Sequence, residues 1–380
     1  MKFPLFERLK RITPKNTGRN ESKKRVDLSL VGLILLLCFI GIIMVYDSSV
    51  ALALRDFGDR FYYVREQAKW VGAGVIIFFL ISLFPYKVWY RAALPILLGT
   101  MVLLMAVFIP GLGVSALGAK RWINLGFTVI QPAEFAKLAL VIYFSAWFSN
   151  PEKKRLNSFL LLTGMILGLI ILEPDLGTAI IIGTISISLY FFSGAPTKHF
   201  LFMIPIVIAG IIVLAVASPY RMRRVTSFLD PAKDPLGSSY QVRQATIALG
   251  SGGLFGVGLG KSRQKYQYLP EANTDSIAAI IGEETGFVGM TALLVLYLVI
   301  IYKGFMIAKH ADSPFGKLLA LGISTWIGAQ AGINIAANAA LIPLTGVPLP
   351  FISYGGSSLI VLLSATGILA TIAKASKYDK

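Results

Sequence analysis

The chain has 380 residues, of which 56% are hydrophobic and only 14% charged, and its mean hydropathy is +0.71. That is more apolar surface than a soluble domain of this length hides, so a water-soluble globular class is excluded. The net charge of +17 reads as Lys and Arg retained on cytoplasmic loops, not as a nucleic-acid footprint. The single cysteine, Cys38, lies in an apolar run, which excludes a disulfide framework and any Cys-based metal site.

Residues 1–26 form a basic arm with nine Lys and Arg. The apolar run that follows, Leu28 to Tyr46, is about 19 residues, longer than the ~7–15 of a signal-peptide core, and reads as an uncleaved anchor with a cytoplasmic N-terminus. A membrane-crossing helix takes about 20 mainly apolar residues. Nine further runs of roughly that size follow: Trp70 to Phe84, Ala92 to Ile109, Ala133 to Phe148, Phe159 to Leu172, Gly177 to Phe192, Phe200 to Ser218, Gly286 to Ile307, Leu318 to Ile342 and Ser357 to Ala373. The predicted class is therefore an all-α polytopic membrane protein of ten transmembrane helices with both termini cytoplasmic. The membrane domain spans 27–374, followed by a tail at 375–380.

With the N-terminus inside, the inner loops and the arm collect 21 of the 36 basic residues, and the outer side holds 14, eight of them in residues 219–285. Long loops cross largely regardless of charge. That segment, between helices seven and eight, is too long and too rich in aromatics and glycine for a simple connection, and predicts a large structured extracytoplasmic loop.

Ionisable groups in or beside spans are candidates for function. Glu134 and Lys137 share one face of the fourth helix and can pair. Glu173 and Asp175 flank Pro174 at a tight outer turn, and Lys120, Arg121, Arg221, Arg223 and Arg224 are assigned to the same side, where arginines suit phosphate oxygens. Gly256 to Ser262 mimics a phosphate loop, but Phe255 stands where a Walker motif needs glycine, so no nucleotide is expected. Gln330, Asn334 and Asn338 line one helix face, and Gly328 with Gly332 makes a GxxxG, a pattern for helix packing, with a polar lining for a substrate groove as the alternative. Both histidines, His199 and His310, fall in inner loops, so an outer general base has to be a carboxylate, or else a Tyr or Lys. Glu271, Asp275, Glu283 and Glu284 are the acids nearest the end of the long loop.

Several segments together resemble a family. Gly258 to Ser262, Gln264-Lys265, Tyr268-Leu269-Pro270-Glu271-Ala272, Thr274-Asp275 and Gly282-Glu283-Glu284 are similar to the signature of the SEDS proteins (shape, elongation, division and sporulation). Arg121-Trp122-Ile123, Gln131-Pro132, Glu173 to Thr178, Arg224 to Pro231 and Pro348 to Ser358 agree in order. The wording is closest to the cell-division members, while Asn273, Ser276 and Lys120 depart from the usual pattern.

The resemblance implies a peptidoglycan glycosyltransferase that polymerises lipid II on the outer leaflet of the plasma membrane, at the division septum. It implies a class B penicillin-binding protein and other divisome membrane proteins as partners, with no nucleic acid. It places the family's essential aspartate on Asp275, here expected to be ionised and to act as general base. Arg121, Glu134, Lys137, Glu173, Asp175, Arg221, Arg224, Lys265 and Glu271 are the expected substrate-binding set. A divalent cation, Mg2+ or Mn2+, with Asp275 as its ligand, stands beside the general-base reading, and the alternatives are a lipid II flippase or an elongation or sporulation paralogue of the same polymerase.

Overall fold

The computed structural model describes residues 27–116, 119–126, 128–150, 155–216, 219–230, 239–266 and 268–376. The basic arm, Lys153, Lys154, Lys377 and Lys380 lie outside them. The helices are α1 (Leu28–Phe57), α2 (Tyr62–Leu83), α3 (Lys87–Ala106), α4 (Pro132–Phe148), α5 (Leu156–Leu172), α6 (Leu176–Phe192), α7 (Thr197–Val216), α8 (Pro219–Leu229), α9 (Tyr240–Gly252), α10 (Ile277–Lys309), α11 (Pro314–Asn338) and α12 (Gly356–Ala375). Each of the ten apolar runs lies on one of them.

Among the described residues, six helices, α1 to α3 and α10 to α12, are long and apolar enough to cross a bilayer, and α5, α6 and most of α7 are apolar but shorter. Leu83, Leu201, Phe202 and Val213 are more than 60% exposed, a surface that water penalises and lipid accepts. The interior belongs to α11 and α12, which α2, α4, α7's neighbour α6 and α10 surround. The helix ends follow local chemistry. Asp27 caps α1 by accepting from Ser29 N and Leu30 N, Ser313 precedes Pro314 at the start of α11, and Gly58 closes α1 in the left-handed conformation.

Four expectations are corrected. The fold is not purely helical: β1 (Gly113–Ala116), β2 (Ala119–Asn124) and β3 (Val129–Ile130) form an antiparallel sheet in the order β1-β2-β3 between α3 and α4. These strands are too short for periodicity to reveal. Second, α1 runs eleven residues beyond Tyr46, and α2 starts at Tyr62; charged residues beyond the hydrocarbon continue a helix as readily as a loop. Third, α11 ends at Asn338, short of Ile342.

Fourth, α10 begins nine residues before Gly286, which breaks it at φ 67°, ψ −165°. The break is satisfied from outside the helix. Val257 N and Gly258 N donate to the carbonyls of Glu283 and Glu284, while Phe287 N and Val288 N donate to those of Gly253 and Leu254. Backbone groups near a membrane have few alternatives to such internal pairing. A Cβ on Gly256 would lie 2.1 Å from the Glu284 carbonyl oxygen, so glycine there permits the approach.

Candidate active site

Asp275 lies just ahead of α10, in a turn closed by Thr274 N and Ser276 N donating to the Glu271 carbonyl. Three successive carbonyls of this turn are held from other elements. Tyr354 N donates to Asn273 O at 2.9 Å, Ser353 Oγ to Thr274 O at 2.7 Å, and Asn334 Nδ2 and Asn338 Nδ2 to Asp275 O at 2.8 and 2.9 Å. The amide face of α11 is thus a bracket for the aspartate's backbone. Asn334 also donates to Val347 O at 2.7 Å, and Gln330 to Pro348 O at 3.0 Å, tying the segment between α11 and α12 to the same bracket.

The Asp275 carboxylate opens into a cavity of about 10 Å3, lined also by Arg224, Gln241, Asn334, Asn338 and Gly346. That is the room of about one water, or of one hydroxyl group. Gly346, at φ +72°, forms its floor: a Cβ there would stand 3.3 Å from Asp275 Oδ2 and 3.9 Å from Arg224 Nη1. Arg224 is steadied by donating to Leu344 O at 2.9 Å. Burial pushes the Asp275 carboxyl up to about 7; the negative charge of Glu271 adds to this and the Arg224 guanidinium opposes it. The expectation of a carboxylate at its ordinary value is corrected by that desolvation. Close to neutrality the group exchanges its proton readily, which suits a general base.

Beside this cavity, the turn between α5 and α6 gathers the other predicted residues. Arg121 donates through Nε to Glu173 O at 3.0 Å and through Nη2 to Pro174 O at 2.5 Å. Arg221 donates to Ile171 O at 3.2 Å. Cations here cap the orphan carbonyls of α5 and face the negative end of its dipole. Asp175 caps α6 through Thr178 N and accepts from Gln131 Nε2 at 3.1 Å. The Glu173 side chain is fully buried, and among the described residues neither of its oxygens has a hydrogen-bond partner. Burial and the adjacent Asp175 push it up to about 8, against the pull of Arg121, so it is a neutral acid at pH 7. Asp275 feels the charges of Glu271, Arg224, Asp175 and Arg121, so these residues make one electrostatic unit.

Glu134, Lys137 and Lys265 are placed elsewhere. Lys137, wholly buried, donates to Glu134 at 2.8 Å and to Gln330 at 3.1 Å, with Trp326 5.3 Å beneath it. Lys265 donates to Asp47 on α1 at 2.7 Å and to Glu284 on α10 at 3.0 Å. Glu284 also accepts from Gly260 N and Ser262 N, and Glu283 from Arg263 N and the Ser262 hydroxyl. The loop that mimics a phosphate cradle therefore points its amides at two glutamates of its own chain. Gln241 and Gly346 were not singled out from the sequence, because a lone glutamine and one of 36 glycines carry no signal there. Among the described residues, no three His, Cys, Asp or Glu side chains converge on one point. Arg224 also shares the space above Gly346 with the carboxylate, so the donor set does not fit a resident divalent cation.

Apolar helices around a desolvated carboxylate, with an arginine beside it and its backbone bracketed by amides, define a polytopic membrane protein with Asp275 at its candidate site. The chain belongs to the FtsW/RodA/SpoVE family of cell cycle proteins, whose model matches residues 28–378. It is 41% identical to Stage V sporulation protein E of Bacillus subtilis, over 94% of this chain and 99% of that one. It is 38% identical to a probable peptidoglycan glycosyltransferase FtsW of Geobacter sp. strain M18, over 89% and 94%. Among solved structures it superimposes on a chain described under structural coordination of polymerization and crosslinking by a peptidoglycan synthase complex, at TM-score 0.75 and 29% identity over 92% and 97%. Thermus thermophilus RodA matches at TM-score 0.69 and 26% identity over 93% and 98%.

Proposed function

We propose that this protein is a peptidoglycan glycosyltransferase that polymerises lipid II at the outer leaflet of the plasma membrane, through ten membrane crossings with both termini cytoplasmic. The observation that carries the reading is the Asp275 carboxylate, poised near neutrality beside Arg224 in a cavity that admits one hydroxyl. The acceptor's 4-hydroxyl enters the cavity and Asp275 takes its proton. The hydroxyl oxygen bonds to the donor's anomeric carbon, and the bond to the lipid diphosphate breaks with its electron pair leaving on the diphosphate. A positioned base contributes about 10²–10⁴-fold, and Arg224 offsets charge that develops nearby. A mainly apolar groove of about 370 Å3, lined by Phe228, Val242, Thr246, Ile247 and Ala340 with Arg243 among them, flanks the site across α9 and receives the prenyl chain.

The cellular role follows the family's division members: septal wall synthesis with a class B penicillin-binding protein and other divisome membrane proteins. The 41% identity to a sporulation protein favours a second reading, the same polymerase serving spore formation. Purified protein with labelled lipid II tests the activity: wild type yields polymer, and Asp275→Ala and Asp275→Asn do not. Polymer made at the wild-type rate by Asp275→Ala refutes the assignment. Equal rates with and without a chelator exclude Mg2+ or Mn2+ from the step.

A further inference from the structure

Six aromatic rings gather where α1 meets α2. Phe57 stacks on Tyr62 with centroids 3.7 Å apart, Tyr46 stacks on Phe61 at 5.5 Å, and Tyr63 meets Tyr354 edge-on at 5.2 Å. Phe57 and Phe61 are 49% and 41% exposed. Unlike an aromatic belt facing lipid, these rings alternate with ionic groups: Arg60 lies over the Phe61 ring at 4.7 Å, and Arg55–Asp56, Arg65–Asp59 and Lys69–Glu66 are exposed pairs around them. Flat apolar faces with charged hydrogen-bonding groups at their edges match pyranose sugars, whose C–H faces stack on rings and whose rims carry hydroxyl and acetamido groups.

The cluster is continuous with the active site. Tyr354 supplies the N–H that holds Asn273 O, two residues from Asp275. Gln67, one helical turn beyond Tyr63, donates to Ser353 O at 3.3 Å, and Ser353 holds Thr274 O. Tyr63 also feels the charge of Glu271, on the turn that carries Asp275. The catalytic cavity holds no more than one hydroxyl, so a growing strand needs another surface to rest on between additions.

We propose that this aromatic platform is a binding track for the β-1,4-linked aminosugar strand, holding it next to Asp275 so that successive additions occur without release. The inference rests on the polymerase reading. A strand held by rings dissociates more slowly, and removing one ring contact accelerates release by about fivefold. The test compares wild type, Phe57→Ala, Tyr62→Ala and Tyr62→Trp, each with its thermal unfolding recorded, in vesicles supplied with labelled lipid II. Strand lengths are read on gels at matched lipid II consumption. Tyr62→Ala and Phe57→Ala give strands several-fold shorter and Tyr62→Trp restores length. Wild-type length distributions in both alanine variants overturn the proposal and leave the rings to the membrane interface. Failure of wild type to make any polymer sinks the polymerase reading instead, so the two outcomes are separable.

Discussion

Replacing Asn334 by alanine removes the two hydrogen bonds it donates, to Asp275 O at 2.8 Å and to Val347 O at 2.7 Å, together with a long one of 3.5 Å that it accepts from Asn338 Nδ2. A buried carbonyl left without its donor costs about 1–3 kcal/mol. Asp275 O keeps Asn338, so the single variant is destabilised mainly through Val347 O, by roughly that amount. Catalysis is more sensitive, because displacing a reacting group by ~1 Å costs about 10²-fold. With half of the bracket left, Asn334→Ala loses about 10-fold in kcat. Asn338→Ala loses less, since its other bond stays within α11. The double variant strips Asp275 O of both donors. It therefore costs more than the sum of the singles, a coupling of about 0.5–3 kcal/mol. Lipid II polymerisation and thermal unfolding in detergent, run on all four proteins, measure both terms. Wild-type turnover in Asn334→Ala, or strict additivity in the double, refutes the bracket.

Other expectations concern charge and backbone. With the Asp275 carboxyl near 7, turnover rises with pH through an apparent value near 7; a profile flat from pH 6 to 8 contradicts a base at this position. Glu173, raised from 4.5 to about 8, binds its proton more tightly folded than unfolded. Its contribution to stability is therefore fully present below about pH 4.5 and lost as pH rises through 8; Glu173→Gln removes that slope, as unfolding temperatures across pH 5–9 report. Lys265→Met leaves two carboxylates unpaired in a nearly buried site and costs about 3–5 kcal/mol of stability; a normal unfolding temperature with raised KM returns Lys265 to substrate binding. Gly286→Ala sets a Cβ 2.3 Å from Gly256 N at a left-handed φ and costs ~3 kcal/mol or more, visible as lost folded yield.

What was legible in the sequence depended on range. The ten apolar runs and the proximity of Glu134 to Lys137 rest on local spacing, and each has its counterpart in the structure. Residues whose role depends on a distant partner were less readable. The repeat of Gln330, Asn334 and Asn338 showed that amides share a face, but not that two of them close on Asp275, 59 and 63 residues away. Lys265 and Arg121 were both expected in the substrate-binding set. The structure ties the first to Asp47 and Glu284, and the second to the carbonyls of Glu173 and Pro174 in the turn after α5. Charge alone does not tell a binding group from a structural one.

The way this site is held follows from where it sits. Near a bilayer, fixing a carboxylate with direct salt bridges would keep it ionised and lower its basicity. Here the strong grips fall on the backbone of the turn: Ser353, Tyr354, Asn334 and Asn338 bind the carbonyls of residues 273–275, and all of these donors are uncharged. The carboxyl itself is left to desolvation, with Arg224 near enough to moderate the shift. Neutral amides therefore fix geometry without setting charge. Position and basicity can then be altered separately: Asn334→Ala moves the turn, and a change at Arg224 raises the Asp275 carboxyl further. In Arg224→Gln, polymerisation shifts its pH dependence upward while the bracket of hydrogen bonds stays in place. Loss of turnover at every pH without such a shift instead assigns Arg224 to holding the diphosphate.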